Sequence, residues 1–242
     1  MRTELSPNER AKYLCAEKAA EFVSSGMKVG LGTGSTAYWL LKHLGRKVRD
    51  GGLNIMGVPT SLKTSELAQS EGIPICSLDE AGWLDLTIDG ADEISPDFNL
   101  IKGGGGAHLR EKIVAMASDK MIVIADSSKK VAELGSFPLP VEVIRYGSES
   151  TKSQVVKYLT QNGYKDPQVM FRKSKGKRFI TDEGNFILDL QLNFISDECT
   201  LSNDLNLIPG VVENGLFVNI CKCVVVADEN GQVTVDWKKN ED

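Results

Sequence analysis

Met27-Lys28-Val29-Gly30-Leu31-Gly32-Thr33-Gly34-Ser35-Thr36-Ala37 reads as a buried strand, a glycine turn and the opening of a helix. Trp39, Leu40, Leu41 and Leu44 follow at helical spacing. Residues 32–37 fit G-x-G-x-x-A, the turn that opens a dinucleotide-binding βαβ unit. The next expected strand, Asn54 to Val58, runs into Pro59-Thr60-Ser61 with no Asp or Glu to take ribose hydroxyls. What sets the turn apart is its hydroxyls. Thr33, Ser35 and Thr36 beside the N–H groups of a helix start suit a small phosphate monoester. Simple helix capping is the competing reading.

Outward from this turn the pattern alternates. Ser6-Pro7-Asn8-Glu9 has the form of a capping box with Pro at the first helical position, followed by the stripe Ala11, Leu14, Cys15, Ala19, Phe22 and Val23, so a first helix ends near Gly26. A helix over Ser61 to Ser70 and apolar runs at Ile73 to Ser77, Leu84 to Ile88 and Met121 to Ala125 continue the alternation, which predicts a mostly parallel α/β sheet. From about residue 132 the grammar changes. Pro138 to Ile144 is strand-like, Ser153 to Gln161 helical, Val169 to Phe171 and Phe179 to Ile180 hairpin-like, Phe186 to Leu190 a strand and Asp197 to Leu207 helical. This β-α-β-β-α set is expected to form a smaller inserted α+β domain. The chain is expected to return to the first sheet through Gly210-Val211-Val212, Leu216 to Ile220 and Cys223 to Ala227. The expected domains are 1–131 with 208–242, and 132–207.

Of the 242 residues, 41% are hydrophobic and 25% charged, enough for a sizeable core, and the net charge of -5 argues against a nucleic-acid surface. The densest basic segment, Arg172 to Arg178, centres on Gly176 and reads as a solvated hairpin tip. Met1 to Glu4 lead into no apolar segment, and no apolar run is long enough to span a membrane, so a cytoplasmic chain is expected. Cys15, Cys76, Cys199, Cys221 and Cys223 are odd in number and scattered, which is no disulfide framework. Cys221 and Cys223 read as buried thiols rather than metal ligands, since His43 and His108 are the only histidines.

Two further motifs carry chemistry. Asp89-Gly90-Ala91-Asp92-Glu93 follows the strand Leu84 to Ile88, at the carboxyl end where open α/β sheets bind ligands. A plain acidic turn is the alternative, and the rest of a calcium loop is missing. Lys102-Gly103-Gly104-Gly105-Gly106-Ala107 then opens a helix carrying Glu111. Four glycines give up backbone entropy for unobstructed N–H groups, which suits a ligand oxygen against the main chain. The helix's expected apolar face is Leu109, Ile113, Met116 and Ala117, which leaves Glu111 off the core stripe as either a solvated carboxylate or a general base.

These three motifs, in this order and spacing and with Arg110-Glu111-Lys112 after the glycines, resemble ribose-5-phosphate isomerase of the A type. The likeness extends to Ala125 to Lys129, Phe137 to Val143 and Ile208 to Val212. The resemblance implies a Rossmann-like, mostly parallel sheet domain with a smaller inserted ferredoxin-like α+β domain. It also implies interconversion of D-ribose 5-phosphate and D-ribulose 5-phosphate through a cis-enediolate, with no cofactor and no metal. Carried over by motif position, Glu111 is the base, Asp89 aids ring opening and proton movement between O1 and O2, and Asp92 positions hydroxyls. Lys102 and the N–H groups of Gly103, Gly104 and Gly105 hold the oxyanion. Thr33, Gly34, Ser35 and Thr36, with Gly90, Ala91, Lys129 and Lys12, bind substrate. His108 is expected at the surface or in support, without a catalytic part. A homodimer is the family expectation, with a tetramer equally compatible with the sequence, and the charge and apolar runs give no expectation of nucleic-acid or membrane partners. A non-catalytic phosphosugar sensor would need a DNA-binding domain and would not need three carboxylates. A CoA or acyl transferase would need a nucleophilic carboxylate and room for CoA. An NAD-dependent oxidoreductase lacks its ribose-binding acid.

Overall fold

The computed structural model describes residues 5–239. Helix α1 (Pro7–Ala19) starts at Ser6, whose hydroxyl accepts from the Glu9 N–H at 3.3 Å. The reciprocal arm of a capping box does not form, because the Glu9 carboxylate turns to Lys12 Nζ at 2.8 Å and Trp39 Nε1 at 2.9 Å. Then come β1 (Lys28–Leu31), α2 (Ser35–Gly51), β2 (Met56–Pro59), α3 (Leu62–Ser70), a single turn α4 (Leu78–Ala81) and β3 (Leu86–Asp89). Two short strands, β4 (Glu93–Ile94) and β5 (Leu100–Ile101), precede α5 (His108–Met116) and β6 (Met121–Asp126). Next are β7 (Leu139–Val143), α6 (Ser148–Gln161), β8 (Gln168–Phe171), the hairpin β9 (Lys173–Ser174) and β10 (Lys177–Arg178), and β11 (Phe186–Gln191). The chain closes with α7 (Glu198–Asn206), β12 (Val211–Asn214), β13 (Leu216–Phe217), β14 (Cys221–Ala227) and β15 (Val233–Trp237).

These elements form two compact units. The first holds the described residues up to Ala91, Arg110–Lys130 and those from Asn219 onward. Its six-stranded sheet has the order β15-β14-β6-β3-β1-β2 and is parallel except for β15. Parallel strands covered on both faces read as unbroken apolar runs, and all six residues of β6 are buried. Leu31, Ile88, Ile122, Ile124 and Val225 pack there with Cys15 and Ala16 of α1 and Leu40, Leu41 and Leu44 of α2. From β1 the chain moves one way to β2 and the other way to β3, so the strand order reverses between β1 and β3. Open α/β sheets bind ligands outside the carboxyl ends of the strands at such a point.

The second unit holds Asp92–Leu109 and Val131–Val218. Its four-stranded antiparallel sheet has the order β12-β7-β11-β8, the ferredoxin-like arrangement of a β-α-β-β-α-β chain. Leu139, Val141 and Val143 of β7 and Leu188 and Leu190 of β11 meet Val155 and Leu159 of α6 and Leu201 and Leu205 of α7, so both helices cover one face. Ile187 and Asp189 alternate to the opposite face. Val211–Asn214, expected in the first sheet, pairs instead with β7. Leu216–Phe217 likewise pairs with β5 in a three-stranded sheet of this unit.

Cys221 and Cys223 are both fully buried on β14, as is Cys15 on α1. Burial pushes the Cys15 and Cys221 thiols up to about 12 and the Cys223 thiol up to about 11. Cys199 is exposed and Cys76 half-buried. Titration of the native protein with a thiol reagent at pH 8 should therefore modify Cys199 first and Cys76 more slowly. Cys15, Cys221 and Cys223 should react only on unfolding, and native labelling of any of these three would contradict the packing.

Candidate active site

In the first unit the site is built on the turn after β1. Thr33 N–H and Gly90 N–H both donate to Asp89 Oδ1, at 2.9 and 2.7 Å. Asp89 ends β3 and is fully buried, so the carboxylate stands at the switch point with its orientation fixed by two main-chain donors. Its approach depends on Gly32, where a Cβ would lie 2.1 Å from Asp89 Oδ1 and 2.5 Å from its Cα.

Gly34 is the N-cap of α2, and no side chain caps the helix, so the hydroxyls of this turn are not capping groups. The Thr33 hydroxyl donates to Ser61 Oγ at 2.9 Å and lies 2.7 Å from Thr60 Oγ1 and 3.0 Å from Thr64 Oγ1. Thr60 and Thr64 in turn donate to the carbonyls of Leu31 and Gly32. Both donors of Thr33 therefore serve the protein: its N–H aligns Asp89 and its O–H ties the turn to the loop before α3. Gly34 and Ser35 are exposed, and Thr36 is buried. Lys129 is half-buried in a short turn just past the carboxyl end of β6, beside β3 in the sheet. Lys12 pairs with Glu9, whose carboxyl it holds below the ordinary range together with Trp39.

The helix α5 does not present the face expected for it. Ile113 and Met116 are 50% and 60% exposed, whereas Glu111 and Lys112 are buried and His108 fully so. The solvated-carboxylate reading of Glu111 is thereby corrected, as is the surface reading of His108. The buried face of the helix carries Val114 and Ala115 together with the polar Glu111 and Lys112.

In the second unit Asp92 Oδ2 accepts from Gly104 N–H at 2.7 Å, and a Cβ on Gly104 would come 2.6 Å from Asp92 Oδ1. Lys102 is buried; its N–H donates to Gly215 O at 2.9 Å and its Nζ stands 5.5 Å from the Phe217 ring centroid. Gly103 lies against the His108 ring, and Gly106 against Phe179 and Ile187. Gly105 is exposed, and Ala91 half-buried. Glu93, the last acid of its motif, accepts from Gly135 and Phe137 N–H at 2.7 and 2.6 Å, which makes it a fastener of that loop.

Sequence reasoning missed Thr60, Ser61 and Thr64, which form no motif with Thr33 and meet it only through the pairing of β1 with β2. It also placed Arg172 at a solvated hairpin tip. Arg172 is instead mostly buried, paired with Asp189 and bonded to the glycine loop.

An α/β fold with buried carboxylates held by main-chain donors at a switch point has the geometry of a class of enzymes suited to proton transfer. Comparison with known proteins narrows it. The family model for ribose 5-phosphate isomerase A (phosphoriboisomerase A) matches residues 56–231. Ribose-5-phosphate isomerase A of Cereibacter sphaeroides is 55% identical over 97% of this chain and 94% of its own length. The solved ribose 5-phosphate isomerase of Plasmodium falciparum has a TM-score of 0.91 at 36% identity, covering 96% of this chain and all of its own. A D-ribose-5-phosphate isomerase in complex with phospho-erythronic acid has a TM-score of 0.88 at 38% identity, covering 95% of this chain and 99% of its own. The chain belongs to the ribose 5-phosphate isomerase A family.

Replacing Gly32 by Ala puts a methyl group where Asp89 stands. Steady-state kinetics of Gly32→Ala should show turnover reduced at least about tenfold, a barrier increase of about 1.4 kcal/mol or more. Unchanged turnover would show that the Asp89 position is not critical.

Proposed function

We propose that this chain interconverts D-ribose 5-phosphate and D-ribulose 5-phosphate through a cis-enediolate. The observation that carries the reading is Asp89, buried at the switch point on two backbone N–H groups, in the unit that also buries Glu111 on α5. Glu111 takes the C2 proton of the open-chain aldose as a carboxylate and returns it to C1 as the acid. Asp89 assists ring opening and passes a proton between O1 and O2. Asp92 orients substrate hydroxyls while holding Gly104 N–H.

Lys102 and the N–H groups of Gly103 and Gly105 stabilise the enediolate oxygen, since donors aimed in advance are worth about 2.7–4 kcal/mol of barrier each. Gly34, Ser35 and Thr36 take the phosphate ester at the α2 N-terminus, assisted by Lys129 and Lys12. Thr33 supports this turn from behind, and Gly90 and Ala91 line the sugar. A related enzyme is solved in complex with phospho-erythronic acid, a phosphorylated sugar acid one carbon shorter than ribose 5-phosphate, which supports a phosphosugar as the ligand class here. The reaction shifts protons within one molecule and is balanced without an external electron acceptor.

We also infer a homodimer in the cytoplasm, both supported by the family likeness; no helix among the described residues is long and apolar enough to cross a membrane. Sedimentation of the purified protein at twice the chain mass would agree with a dimer, and any other mass would overturn it.

The deciding measurement is conversion of ribose 5-phosphate deuterated at C2. Wild type should turn over with a primary isotope effect. Glu111→Gln should lose about 10²–10⁴-fold in turnover while binding phospho-erythronic acid nearly as well. Full activity of Glu111→Gln would reassign the base, and tight binding by a wild type without turnover would point to a sensor.

A further inference from the structure

The face of the small sheet that carries no helices holds an ion pair that the reaction as written does not use. Arg172 Nε donates to Asp189 Oδ2 at 3.0 Å and Nη2 to Oδ1 at 2.5 Å, a two-pronged contact between side chains only 14% and 23% exposed. The remaining edge of the guanidinium points at the glycine loop. Nη1 donates to the Gly103 carbonyl at 2.6 Å and the Gly104 carbonyl at 3.1 Å. A planar fork gripped along one edge by a carboxylate has its other donors fixed in direction as well.

The consequence passes through the peptide planes. In a trans peptide the N–H of one residue points opposite to the carbonyl of the residue before it. The peptide joining Gly103 and Gly104 is held at both ends, its carbonyl by Arg172 and its N–H by Asp92. The next peptide is held by Arg172 through the Gly104 carbonyl, and this sets where the Gly105 N–H points. Within the loop the Gly106 N–H donates to the Gly103 carbonyl at 2.9 Å, closing a turn whose central peptide, between Gly104 and Gly105, can take either orientation in glycine, so a contact from outside the loop selects it. A charged donor on the carbonyl also polarises the peptide, which strengthens the N–H at its other end.

We propose that Arg172, locked by Asp189, is a positioning residue that aims the Gly105 N–H at the enediolate oxygen. The proposal rests on the isomerase reading above and adds a residue to it. Arg172 touches no reacting atom; it acts through the peptide it holds. Lysine cannot replace it, because a single ammonium on a flexible stem cannot grip the carboxylate along an edge and bond two carbonyls together.

The test compares wild type with Arg172→Ala, Arg172→Lys and Asp189→Asn for kcat and KM on ribose 5-phosphate, with thermal unfolding alongside. Arg172→Ala and Arg172→Lys should lower kcat about 10- to 100-fold, less than or equal to the loss of one oxyanion donor, with KM within about threefold. Added guanidinium at a concentration too low to unfold the protein should restore part of the kcat of Arg172→Ala and leave wild type unchanged, an outcome that a purely structural role would not give. Asp189→Asn keeps the arginine but loosens its grip, and should lower kcat in the same direction by a smaller factor. A lowered unfolding temperature with kcat within twofold of wild type in the folded variants would overturn the proposal. Should the Arg172 variants fail to fold, Asp189→Asn decides, and unchanged kcat there overturns it too. Absence of wild-type turnover would overturn the isomerase reading and this inference with it, whereas an active wild type with indifferent variants overturns this inference alone.

Discussion

The space that Gly32 leaves empty is the constraint on which the first unit's site depends. Asp89 Oδ1 occupies the place a Cβ would fill, and only there can it accept from Thr33 and Gly90 together. From that contact the rest follows outward. Thr33 is drawn toward β3, its hydroxyl falls among Thr60, Ser61 and Thr64, and the turn is thereby tied to the loop before α3. Gly34 and Ser35 then stay exposed at the start of α2. One missing methyl group sets the geometry of a carboxylate and of a helix N-terminus at once.

The second unit solves the converse problem. Its glycine run closes one turn of its own, from Gly106 N–H to the Gly103 carbonyl, and the rest of its shape is held by side chains elsewhere in the unit. Asp92 holds a donor, Arg172 holds two acceptors, and the rings of His108 and Phe179 limit the loop at its two ends. Phe137, fastened by Glu93, stands against Gly104. Main-chain donors carry no side-chain entropy but must be aimed, and here the loop is held by five side chains outside the glycine run, from Asp92, His108, Phe137, Arg172 and Phe179.

The parallel strands were legible because burial on both faces turns them into unbroken apolar runs, and the glycine turn marked the first of them. The ferredoxin-like unit was legible as far as α7. Its fourth strand was not, because Val211 and Val212 carry the same apolar signal whether they join one sheet or the other, and only register decides. β4, β5 and β13 have two residues each, too few for any period to show. The carboxylates, lysine and glycines of the site were readable as motifs. The inward face of α5 was not, since His108, Glu111 and Lys112 occupy positions that hydrophobic spacing assigns to solvent. Arg172 escaped because a basic hairpin looks solvated until its partner, Asp189, is brought opposite by the pairing of β8 with β11.

The sheet of the first unit is closed by strands made last. β6 lies between β3 and β14, yet residues 131–218 are synthesised between β6 and β14. Translation proceeds from the N-terminus, and domains fold as units while it does. The smaller unit therefore has its full sequence outside the ribosome before the larger sheet can be completed, and until then β6, apolar from Met121 to Ala125, has an unsatisfied edge. Nascent chains halted before Cys221 expose that edge as a template for other strands, a hazard that ends only when β14 pairs with β6.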